Sequence, residues 1–260
     1  MPHPRHATSL ADWPYPRWIA HRGAGKLAPE NTLAAFQLGA RHGYMMFECD
    51  VKLSEDGVPF LLHDDTLGRT TNATSTWNTE QDPVAGHYPW DALSTLDAGS
   101  WHSKKYTGAG IPTLEQVATF CMQNNCCINL EIKPTTGTEH QTGAVVAQYA
   151  ARLWQDAIVP PLLSSFKPEA LQAAALAQAE LPRALLLDTL WDGWLQMALE
   201  LQCVAIVFEH SLLSGNIASL LKQEKLRFLS YTVNDAATAD RLIALGIDGI
   251  ITDRVDFFKP

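Results

Sequence analysis

Long apolar runs are missing from this chain: none approaches the roughly 20 residues that cross a bilayer, so no membrane span and no membrane partner are expected. The opening MPHPRHATSLADWPYPRW also lacks the apolar stretch of a secretory signal. Residues 1–16 read instead as an exposed arm in which His3 and His6 are solvated. Basic charge is scarce. Lys and Arg number 19 against 28 Asp and Glu, and the net charge of −9 argues against a nucleic-acid partner, which needs a basic face. Cysteine is sparse too: Cys49, Cys121, Cys126, Cys127 and Cys203 form an odd set without CxxC spacing, expected as free thiols in a reducing cytoplasm. A nucleotide-type phosphate loop is also lacking. GAGKL superficially resembles one, but Ala20 stands where the first glycine belongs and Leu27 where the last Ser or Thr belongs.

What is present is a repeating alternation. Short apolar runs at 18–22, 45–51, 59–64, 127–133, 161–166, 183–188, 204–209, 227–233 and 249–253 read as strands. Amphipathic stretches at 31–43, 112–125, 140–155, 169–180, 191–202, 216–224 and 236–246 read as helices. Strands alternating with helices imply βαβ units and a parallel sheet. At 260 residues and 47% hydrophobic, the α/β architecture closest in length is a TIM-type (β/α)8 barrel of about 250 residues. We therefore expect residues 1–260 to form a single barrel domain.

Nine strand-like runs are one more than such a barrel needs. The link SEDGV at 54–58 is too short for a parallel crossover, so the run before or after it is expected to be antiparallel or to lie outside the ring. Residues 65–111, after the third run, break the rhythm with Thr, Ser, Gly and Asn. A segment of that length is expected to be a small insertion over the barrel mouth, stapled down by Trp77, Trp90 and Trp101.

Polar groups cluster at the ends of these runs. Glu48 and Asp50 are two apart on a strand and so share a face, and Glu131 ends another run in the same way. Three such carboxylates suit a hard divalent cation, and equally suit salt bridges to neighbouring Arg and Lys; spacing leaves both open. His21 and His63 each close an apolar run, and a histidine pair beside acids can take one proton and give another. Arg22 and Lys133 can hold a phosphate, and Gly23 and Gly25 would let the backbone pass close to it.

At HRGAGKLAPENT, ECDVKLSEDG, LLHDDTLGRTTN, LEIKP, PPLLSSF, YTVND and DGIITD, the chain resembles the glycerophosphodiester phosphodiesterase family, in its short cytosolic bacterial form. The resemblance spans roughly residues 17–255. It implies a TIM-type barrel that hydrolyses glycerophosphodiesters, such as glycerophosphocholine or glycerophosphoethanolamine, to sn-glycerol 3-phosphate and an alcohol, with one bound Mg²⁺ or Ca²⁺. Carried over by motif, His21 and His63 would be the acid/base pair, Glu48, Asp50 and Glu131 the metal ligands, and Arg22 and Lys133 the phosphate-binding residues. Tyr231 stands where relatives often have Trp and would pack against glycerol carbons. Glu209 and His210 at another run end also depart from the family pattern. The implied route has a glycerol hydroxyl attacking phosphorus and a cyclic phosphate opening to water. Two other readings are a phospholipase D-type relative acting on lysolipids and a non-catalytic glycerophosphodiester-binding protein. The oligomeric state is left open, a homo-oligomer included.

Overall fold

In the computed structural model, residues 13–78 and 80–260 are described. Residues 1–12 of the expected arm, with His3 and His6, lie outside them. The apolar runs form β1 (Trp18–Ala20), β2 (Met46–Leu53), β3 (Pro59–Leu61), β4 (Cys127–Ile132), β5 (Leu162–Ser165), β6 (Arg183–Leu187), β7 (Ala205–Glu209), β8 (Arg227–Tyr231) and β9 (Gly249–Thr252). Eight of them pair in parallel, in the order β1, β2, β4 through β9, and the pairings β1–β9 and β1–β2 close the ring. The surplus run is β3. It folds back antiparallel on β2, with Val51 opposite Leu61 and Leu53 opposite Pro59, outside the ring. The five-residue link makes a tight turn in which Gly57 has φ 82° and the Ser54 hydroxyl accepts from Val58 N.

Period-two alternation divides each strand between two cores. On β2, Phe47, Cys49 and Val51 point out into the helix layer, while Met46 joins Ile19, Leu162, Leu186, Val207, Leu229 and Ile251 inside the barrel. All eight residues of β2 are buried. Tyr15 and Trp13 plug the floor, and the Tyr15 hydroxyl donates to Pro160 O at 2.8 Å. Above that apolar filling the same inward face of β2 turns polar, as Glu48, Asp50 and Lys52.

The outer layer contains α1 (Leu33–Arg41), then, past the insertion helices α2 (Ala73–Trp77) and α3 (Trp90–Leu93), α4 (Leu114–Asn124), α5 (Glu139–Leu153), α6 (Pro168–Ala177), α7 (Trp194–Glu200), α8 (Gly215–Gln223) and α9 (Ala236–Leu245). Thr32, Thr113, Ser214 and Asp235 cap helix starts with their side chains, and Gly246 ends α9 at φ 85°. Gly143 on α5 lets the α6 backbone at Ala170 approach so closely that a Cβ would collide with it.

Residues 65–111 have a core of their own, in which Leu67, Ala73, Ala85, Leu93 and Leu96 pack on Phe60 and Leu62. Trp77 stacks on Tyr88 at 4.5 Å and Trp90 tilts over Phe60 at 6.2 Å, as staples. Trp101 is not one. It is 40% exposed and held by its indole N–H on Ala98 O.

Candidate active site

The chain leaves β1 through a single 3-10 turn, His21–Gly23, with Arg22 at φ 49°. Left-handed backbone is unusual for arginine and marks a constrained position. The constraint has a use. It aims Arg22 N at Glu48 Oε2 (3.1 Å) while the guanidinium donates to Glu30 Oε1 at 2.8 Å and lies 3.3 Å from Asp50 Oδ2. The glycines expected to admit a ligand do something else: a Cβ at Gly25 would strike the Asp253 backbone, and one at Gly23 would strike α1 at Ala35 and Phe36. Their smallness lets the turn nest against the chain, which corrects the ligand-approach expectation.

Each histidine is clamped through Nδ1. His21 Nδ1 lies 2.7 Å from Asp253 Oδ1, just beyond β9. Asn234 steadies that carboxylate, donating to Oδ2 at 3.0 Å and accepting Asp253 N at 2.9 Å. His63, just beyond β3, lies 2.7 Å from Asp64 Oδ1. An ionised carboxylate can only accept, so Nδ1 carries the proton in both rings and Nε2 is the atom left for chemistry. His21 Nε2 is 3.8 Å from Glu48 Oε2. Burial, with Arg22 and Lys133 nearby, lowers the His63 pKa against the pull of Asp50 and Asp64.

Glu48, Asp50 and Glu131 are buried and offer oxygens within 4.8 Å of one another. Strand register brings them together, since Asp50 pairs with Glu131 and Glu48 with Asn129. Burial, then repulsion from Asp50 and Glu131, pushes Glu48 well above the ordinary carboxylate range. Burial and Asp50 push Glu131 up to about 7. Asp50 moves the other way: burial opposes ionisation, but Lys133, Arg22 and His63 hold its pKa well below normal. Lys133 Nζ sits 3.1 Å from Glu131 and 3.3 Å from Asp50, and Asn31 donates to Asp50 at 2.8 Å.

A divalent cation fits this set. The donors are all oxygen, as hard cations prefer, and three converging carboxylates exceed the two cations beside them. Asn129 adds a further sign. It is buried and lines the cavity, yet both its amide atoms lack a partner, as a group awaiting a ligand or water would.

His21, Arg22, Glu48, His63, Glu131, Lys133 and Tyr231 all line one cavity of about 170 Å³. Asp50 lies just behind it, bonded to Lys133. Across from the charges, Phe166, Leu186 and Tyr231 form an apolar wall. The Tyr231 hydroxyl is engaged with Leu187 O at 3.2 Å, so its ring is what the cavity sees. Glu209 bonds Ser211 and lies 3.3 Å from His210 Nε2; neither Glu209 nor His210 lines the cavity.

The sequence reading missed the supporting residues Asp253, Asn234, Asp64, Arg69, Glu30, Asn31 and Asn129. All of them except Asn129 lie in quoted motifs, in HRGAGKLAPENT, LLHDDTLGRTTN, YTVND and DGIITD, but nothing local says that Asp253 reaches a histidine 232 residues away.

A family model described as the glycerophosphoryl diester phosphodiesterase family matches residues 21–257. A glycerophosphodiester phosphodiesterase of Caldanaerobacter subterraneus is 29% identical over 240 residues, covering 90% of this chain and 93% of its own length. YhdW of Bacillus subtilis, provisionally named for the same activity, is 31% identical over 245 residues, covering 92% and 95%. Among solved structures, an Oleispira antarctica phosphodiesterase in complex with the product sn-glycerol-3-phosphate superposes with a TM-score of 0.82 at 33% identity, covering 92% of this chain and 93% of that one.

Proposed function

The chain belongs to the glycerophosphoryl diester phosphodiesterase family, and on that premise we propose that it hydrolyses water-soluble glycerophosphodiesters to sn-glycerol 3-phosphate and an alcohol, using the two clamped histidines and a divalent cation, Mg²⁺ or Ca²⁺. The observation that carries this reading is the pair of imidazoles, each held through Nδ1 by a carboxylate and each facing the cavity that holds the acidic group. The product bound by the Oleispira relative supports the glycerol phosphate class.

In this reading Glu48, Asp50 and Glu131 would hold one cation, which would supply Lewis acidity and charge stabilisation at the site. Arg22 and Lys133 bind the phosphate, and both sit beside carboxylates that keep them charged: against the effect of burial, Asp50 raises the pKa of each. One histidine takes the proton of the attacking glycerol hydroxyl at Nε2, and the other protonates the leaving alcohol. Attack from within the substrate gains effective molarity and leaves a cyclic phosphate, which water opens with the histidine roles exchanged. The apolar wall of Phe166, Leu186 and Tyr231 faces the glycerol carbons. A binding protein would have no use for two oriented proton carriers, and no observation favours a lysolipid substrate. We read barrel and insertion as one catalytic domain, in a reducing cytoplasm where all five thiols stay unpaired, as they are here.

The test is release of glycerol 3-phosphate from glycerophosphocholine and glycerophosphoethanolamine, with chelator and with Mg²⁺ or Ca²⁺ restored. Cation-dependent product, reduced about 10²–10⁴-fold in His21→Ala and in His63→Ala, is expected. Saturable diester binding without any product would reject the enzyme reading of the site.

A further inference from the structure

The insertion starts directly after His63 and Asp64, and its first basic residue, Arg69, is gripped by two carboxylates. Nε and Nη2 donate to Asp64 Oδ2 and Oδ1 at 2.5 and 3.0 Å. On the other edge, Nη1 and Nη2 donate to Glu30 Oε2 and Oε1 at 2.8 and 2.6 Å. Both contacts are two-point forks, so the guanidinium fixes the plane of each carboxylate as well as its position. Beyond Asp64 lies His63 Nδ1 at 2.7 Å; beyond Glu30 lies Arg22 Nη1 at 2.8 Å, and Arg22 Nε in turn approaches Asp50 at 3.3 Å. Hydrogen bonds thus run from His63 through Asp64, Arg69 and Glu30 to Arg22, and an ion pair carries the link from Arg22 to Asp50.

We propose that Arg69 is a positioning residue for the reaction: its two forks set the ring orientation and tautomer of His63 and the aim of Arg22 together. This rests on the roles proposed above for His63 and Arg22. The physical need is plain. A single hydrogen bond from His63 leaves the Asp64 carboxylate free to rotate, and a rotated carboxylate lets the imidazole turn or exchange its protonated nitrogen. Pinning both Asp64 oxygens from the far side removes that freedom. Lysine, a point charge, cannot fork to two carboxylates at once. The Arg69 side chain is 44% exposed, so its ion pairs add little to the stability of the fold, and its consequence is geometric.

A rival role, merely fastening the insertion, has its own marker. Asp82 ties the same turn by accepting from the Thr66 hydroxyl and Gly68 N, each at 2.7 Å, without touching His63 or Arg22. The experiment compares Arg69→Gln, Arg69→Lys and Asp82→Asn in the full chain. Ring ¹⁵N NMR of His63, in metal-free protein without substrate, reports the tautomer, and steady-state kinetics report kcat. Both Arg69 variants should move His63 from the Nδ1–H form toward a mixture and lower kcat by about 10- to 100-fold, the scale of a small misplacement of a reacting group. Asp82→Asn should leave tautomer and kcat as in the wild type. An unchanged tautomer in Arg69→Gln, an unchanged kcat, or an equal effect of Asp82→Asn would overturn the proposal. If the wild type turns over no diester, the functional reading fails while the NMR comparison still decides whether Arg69 positions His63.

Discussion

Asp253 holds His21 through Nδ1, and that one bond determines which nitrogen meets the cavity. The carboxylate is part-buried, and despite that burial its hydrogen bonds from His21 and Asn234 keep its pKa below the ordinary range, so it remains an acceptor at neutral pH. Asp253→Asn preserves shape but presents an amide that can donate to Nδ1, favouring the opposite tautomer. We expect kcat to fall about 10²-fold or more with the melting temperature nearly unchanged, read by kinetics beside calorimetry. Wild-type kcat would remove Asp253 from the mechanism. Residues such as Asp253 were invisible beforehand because their partners are distant in sequence. Glu48, Asp50 and Glu131 were visible because strand periodicity alone puts the first two on one face.

Among the elements, helix starts were the most legible features. Thr113 forms a reciprocal capping box with Gln116, each side chain bonding the other residue's backbone N–H. Thr113→Ala should cost about 1 kcal/mol, lowering the melting temperature by about 2–4 °C and leaving turnover unaltered. A loss of activity at constant stability would instead tie α4 to the site. Less legible was α7, expected over 191–202 and observed as Trp194–Glu200 because Gly193, at φ 89°, starts the helix late. The β2–β3 link is too short for a crossover, as its five residues imply, but which strand leaves the ring is decided by β2 having partners on both sides within it, β1 and β4. Trp101 departs from the expected staple because composition does not distinguish an aromatic that packs in a core from one that rests on it.

For the whole molecule, closing the barrel concentrates like charge, and that links stability, pH and cation binding. Glu131 titrates near 7 in the folded chain, against an ordinary 4.5. Between those values the folded protein therefore binds more protons at this site than the unfolded one, and its contribution to stability falls as pH rises through the window. A cation binds the ionised form, so it should raise the melting temperature more at pH 7 than at pH 5, and binding near pH 6 should release protons. At 100 times its Kd, a ligand of the folded state adds about 2.7 kcal/mol. Calorimetry of the wild type against Glu131→Gln isolates this site. Equal pH dependence in the two proteins would show that Glu131 does not titrate in that range.

By itself the sequence determined the alternation of strands and helices, the placement of polar groups at strand ends, and the motif set that marks the family. These are local properties, set by side-chain periodicity and capping over a few residues. Only the tertiary structure decided that β3 stands outside the ring, that Gly23 and Gly25 serve packing, that Asp253 and Asp64 clamp the two histidines, and that Arg69 joins His63 to Arg22. The clamp on His21 and the packing of Gly25 depend on barrel closure, which brings one end of the chain to Asp253 at the other, and no local pattern records a contact made across that distance. The others depend on how segments and side chains nearer one another in sequence are packed and turned.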